Sequence, residues 1–99
     1  MTKIKHMIDE ICEEIEGAKG YAERYLEYRA EQDSTWAGRF KAMAEDELKH
    51  AGYLHELAVQ EIQKLKQVYK PPEEMQETWD KAHEQYVEKA AWIRQMLQM

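Results

Sequence analysis

The chain has 99 residues, 43% hydrophobic and 34% charged, and carries a formal net charge of -6. A chain this short makes one domain and buries only about two thirds of its unfolded surface, so a partner chain would add core it otherwise lacks. The acidic balance, with Lys and Arg interleaved among Glu, excludes nucleic acid as a partner, because phosphate binding demands a basic patch.

Only four Gly and two Pro interrupt long runs of Glu, Lys, Ala, Gln and Leu, all good helix formers, so the expected fold class is all-α. The opening stretch MTKIKHMIDEICEEIEG breaks its apolar positions with charge every few residues and reads as neither a signal peptide nor a membrane span. The lone Cys12 has no internal disulfide partner. These features point to a cytoplasmic protein in which Cys12 is a small, partly buried side chain of the first helix.

In chain order, Ile4, Ile8, Ile11, Ile15, Ala18, Ala22, Tyr25 and Leu26 keep the three-and-four spacing of an amphipathic helix over about residues 3–30. The apolar pattern stops at Glu31-Gln32-Asp33-Ser34-Thr35, where Asp33, Ser34 or Thr35 can cap the next helix after a tight turn. A second helix is expected over residues 35–68. Lys70-Pro71-Pro72 ends it, because a residue before proline avoids helical torsions and neither proline has an N–H to donate. Pro72 suits the first position of a third helix over residues 72–98, with Glu73 and Glu74 at its positive end. That helix lines up Met75, Trp79, Ala82, Tyr86, Ala90, Ile93 and Leu97 on one face.

Short connections make consecutive helices antiparallel. The second helix would be about 50 Å long at 1.5 Å per residue. One third helix covers only part of so long a hairpin, so a homo-oligomer of at least two chains is expected to complete a four-helix core. Gly17, Gly20, Gly38 and Gly52 lie off the apolar stripes. They are either tolerated surface glycines or places where another helix comes close.

The stripe of the second helix, Phe40, Ala44, Glu47, Ala51, Leu54, Ala58, Ile62 and Leu65, has a carboxylate on its central line. An ionised Glu alone in an apolar core costs several kcal/mol, so Glu47 should be protonated, paired or bound to a cation. His50 is three residues on, which lets both side chains reach one point from a single helix, as in helical metal sites built from Glu-x-x-His. The first helix offers Glu14 beside its stripe and Glu16 on the other flank, and the choice between them as a ligand stays open. His83 falls between Trp79 and Tyr86 on the third helix and is a further inward candidate, with a core histidine hydrogen-bonded to a neighbour as its simpler reading. His55 and His6 rank below it.

On these residues the chain resembles a half-sized member of the ferritin-like superfamily. Glu14 is followed seven residues later by Tyr21, and Glu47-Leu48-Lys49-His50 follows Glu14 by 33 residues, a spacing similar to that of rubrerythrin-type proteins. The run Glu13-Glu14-Ile15-Glu16 ahead of Tyr21 also resembles the first helix of encapsulated ferritins, and Leu54-His55 resembles small ferritin-like proteins of Firmicutes phages. Gly20 departs from the encapsulated pattern, which has a bulky aromatic there. The resemblance covers roughly residues 10 to 62. It implies a dimeric four-helix bundle in which Glu14, Glu47 and His50, with Glu16 and His83 as further candidates, bind iron as a di-iron centre, or manganese or zinc, with Fe(II) oxidation as the activity. The rival from the residues themselves is a metal-free helical interaction protein, phage-associated or not, with Glu47 held by Lys19, Arg29, His50 or His83.

Overall fold

The computed structural model describes residues 2–99 and contains three helices: α1 (Thr2–Ala30), α2 (Ser34–Val68) and α3 (Glu73–Met96). They make a rod of 55 × 17 × 17 Å. None of the described helices is long and apolar enough to cross a membrane.

The α1–α2 hairpin is the backbone of the fold. Ala18, Ala22, Ala44, Ala51 and Ala58 are all fully inaccessible, and side chains this small let the two helices approach closely along their length. Ile4, Met7, Ile11 and Ile15 continue the buried line on α1, and Phe40, Leu48 and Ile62 on α2. The Lys3 ammonium meets the Glu61 carboxylate at 3.3 Å, an ion pair that crosses from α1 to α2 at the open end.

The turn at the other end is a Schellman motif built without glycine. The Asp33 N–H donates to the Tyr28 carbonyl at 2.9 Å and the Gln32 N–H to that of Arg29 at 3.0 Å, while Gln32 takes the left-handed conformation at φ 61°. Asp33 then caps α2, its Oδ1 accepting from the Trp36 N–H at 3.1 Å. Tyr21, Tyr28 and Trp36 gather around Phe40 and close the tip.

Helix α3 runs parallel to α1 and buries Met75, Trp79, Ala90, Ile93 and Met96. The Lys89 ammonium reaches the exposed Glu16 carboxylate at 3.1 Å and ties α3 to α1. Pro72 is the residue before the helix rather than its first, because its ψ of 142° is extended; its carbonyl accepts from the N–H groups of Met75 and Gln76. The helix ends at Met96, two residues short of the expected limit, with Leu97 still buried. Toward α2 the packing is looser, and an open groove of about 770 Å³ lies between Lys41, Lys49 and Gly52 on one side and Tyr86, Arg94 and Leu97 on the other. Cys12 is exposed rather than partly buried.

Candidate metal centre

The buried face of α2 lies beside the expected stripe rather than on it. Leu48, at 8% exposure, takes the central position beside Ala44 and Ala51, and no charged side chain among the described residues is fully buried. Glu47 therefore stands at the edge of the core, with its side chain 27% exposed, and looks along the seam with α1. His50, one turn further round, is half exposed rather than inward.

Across that seam α1 presents Glu14, half-buried at 29%. The His50 Nδ1 lies 3.6 Å from Glu14 Oε2 and 3.8 Å from Glu47 Oε1. One donor atom from each of the three residues falls within 4.8 Å of the others. Metal–ligand bonds of about 2.0–2.2 Å place neighbouring donors about 3 to 4 Å apart, so small side-chain rotations bring this trio onto one cation.

Electrostatics favours a positive charge there. The Glu47 pKa is raised, first by its hydrogen bond with the Glu14 side chain, then by burial and by the Glu14 charge, while His50 acts in the opposite sense. A like charge this close disfavours an ionised Glu47, and a cation placed between the two side chains would offset that repulsion. Gly17 supplies the space. A Cβ placed on it would stand 3.1 Å from Glu47 Oε2, so the absence of a side chain one turn after Glu14 is what lets the Glu47 carboxylate lie against α1. Gly20 has nothing within 4 Å of such a Cβ, so it has no corresponding role.

The remaining candidates lie elsewhere. Glu16 is on the far flank of α1, engaged by Lys89. His83 is exposed on α3, where its Nδ1 meets His55 Nε2 at 2.7 Å, so it takes no part in the Glu14 cluster. The buried face of α3 runs through Trp79, Ala90 and Ile93, and His83 projects from its rim toward α2. Nor do Lys19 and Arg29 hold Glu47: Arg29 donates to the Tyr25 hydroxyl at 2.8 Å, and Lys19 lines a cleft with Trp92.

Two participants were missed in the sequence. Gly17, one helical turn after Glu14, had the signal of its spacing. His55 as a partner for His83 had none, because nothing local fixes the register of α3 on α2. The geometry defines an all-α protein of three helices with an acid–acid–histidine cluster on its hairpin. No protein-family model matches the chain, and neither a curated protein nor a solved structure matches it.

Proposed function

We propose that this chain is one half of a ferritin-like di-metal carboxylate protein. Two hairpins associate through the face that carries Glu14, Glu47 and His50 and form a four-helix bundle around two ions, with iron the first choice and manganese or zinc acceptable to the same donors. The observation that carries this reading is the convergence of the three donors within 4.8 Å of one another across two helices.

Further features support it. Trp36, Met43, His50 and Leu57 recur every seven residues on α2, and the apolar three are 38–45% exposed. A line of half-covered apolar side chains running through the cluster suits a second copy of the hairpin. The donor set also fits the ions: two carboxylates neutralise cationic charge and can bridge, and a neutral imidazole ligates Fe(II). Bound iron would supply one-electron chemistry toward dioxygen or peroxide. The residues' own part is to hold the ions in place, with Gly17 admitting the Glu47 carboxylate and Tyr21 closing the tip side of the seam. The test is metal analysis of protein purified with supplied Fe(II), alongside Glu47→Ala. Bound iron in the parent and none in the variant supports the proposal, and an empty parent protein refutes it.

One observation favours the metal-free reading. The Glu47 and Glu14 carboxyls stand together across the seam, so a hydrogen bond between them in the protein without metal would be a polar contact that sets helix register or partner choice. Glu47→Gln separates the two, since the hydrogen bond tolerates the amide and an anionic ligand position does not.

A further inference from the structure

The second polar cluster lies on the other side of α2. His55 is partly buried between α2 and α3, with its ring stacked on Tyr86 at 4.6 Å between centroids and 17° between planes, and with Trp79 at 5.2 Å. Its Nε2 points at His83 Nδ1, 2.7 Å away on α3. Among the described residues this is the only side-chain hydrogen bond between α2 and α3.

We propose that His55 and His83 form a second cation site, an imidazole clamp between α2 and α3 that takes a borderline divalent ion of the zinc class. The site is independent of the Glu14 cluster and of the function proposed for it.

The geometry carries the argument. Two ring nitrogens from different helices already converge on one point, and at 2.7 Å a single proton sits between them. In a tetrahedral site with Zn–N bonds of about 2.0–2.1 Å, two nitrogens stand about 3.3 Å apart, so the pair opens by about 0.6 Å to admit the ion. His83 is exposed and can make that movement. On binding, the proton between the rings moves, by exchange through solvent, to the far nitrogen of the ring that donated it, so each imidazole carries its single proton on the outer side and turns a bare nitrogen to the ion. Water completes the coordination on the open side of His83. Burial, together with the nearby His83, also lowers the His55 pKa and keeps that ring neutral and ready to ligate. The one cluster of three or more acidic, histidine or cysteine donors among the described residues is the Glu14 group, so the clamp has no carboxylate and favours ions that prefer imidazole over hard, oxygen-seeking ones.

The test is a Zn²⁺ titration of the full chain at pH 7.5, followed by the ring ¹⁵N resonances of His6, His50, His55 and His83. The expected result is a joint shift of His55 Nε2 and His83 Nδ1, saturating at sub-millimolar Zn²⁺. In His83→Ala the His55 response should weaken at least tenfold, in His55→Gln the His83 response should do the same, and in Glu47→Gln both should persist. Circular dichroism of each variant establishes that it is folded. Resonances of His55 and His83 that stay still up to millimolar Zn²⁺, or a His55 response unchanged in His83→Ala, overturn the proposal.

Discussion

Gly17→Ala and Gly20→Ala form a matched pair that isolates the support of the Glu47 carboxylate. Both replace an interior glycine of α1 with the best helix former, a gain of about 1 kcal/mol for either. They differ across the seam: a Cβ at position 20 meets nothing within 4 Å, whereas one at position 17 stands 3.1 Å from Glu47 Oε2. That oxygen is the far end of a flexible side chain, so it moves by a few tenths of an ångström, at a rotamer cost of about 0.5 kcal/mol or more. Gly20→Ala should therefore raise the melting temperature by about 4–8 °C and Gly17→Ala by about half as much. Metal bonds are less forgiving, since lengths hold to about 0.2 Å and a disturbed support typically weakens binding about 10-fold to 100-fold. The assays are thermal unfolding of the metal-free proteins by circular dichroism and Zn²⁺ calorimetry on a His83→Ala background. Equal Zn²⁺ affinities for the two glycine variants would refute the claim that Glu47 binds metal from its position over Gly17. A loss of several kcal/mol in Gly17→Ala would refute the claim that only a flexible side chain blocks the space.

Because the folded protein binds a proton at Glu47 more tightly than the unfolded chain, Glu47 makes the metal-free protein less stable as pH rises from the ordinary glutamate value through the raised one. Glu47→Gln should flatten that slope in urea denaturation across pH and keep neutral-pH stability within about 1 kcal/mol of the parent or above it. His55 acts in the opposite sense: its lowered pKa makes its contribution complete above the ordinary histidine value and lost as pH falls below it, a dependence that His55→Gln should remove in the same experiment. Ile93→Ala, at a site 1% exposed, should cost about 3 kcal/mol by urea unfolding. Gln32→Gly, which relieves a left-handed non-glycine residue at φ 61°, should raise stability by up to about 1 kcal/mol in thermal melts.

The helices and their breaks were legible because apolar spacing and proline act locally, and the three observed spans lie within two residues of those expected. The Schellman turn was not, since Gln32 fills a position that glycine normally marks. The placement of Glu47 was half legible. Glu-x-x-His and Glu14 identified the residues that converge, but periodicity alone put Glu47 at the centre of the core. A helix face is broad enough for either Glu47 or Leu48 to be central, and in the folded chain it is Leu48 that is buried while Glu47 stands at the edge. The inward placement expected for His83 did not hold for a related reason: its neighbours Trp79 and Tyr86 pack inward or half inward, while the ring itself turns at the rim to meet His55.

In the function proposed here, Glu14, Glu47 and His50 hold metal between two chains. Anomalous diffraction from crystals grown with Fe(II), recorded at the iron and zinc edges, tests it most directly. An iron peak is expected within bonding distance of all three residues, lying at an interface where a second hairpin supplies the same three. An interface without a peak there, or metal found only between His55 and His83, would contradict it.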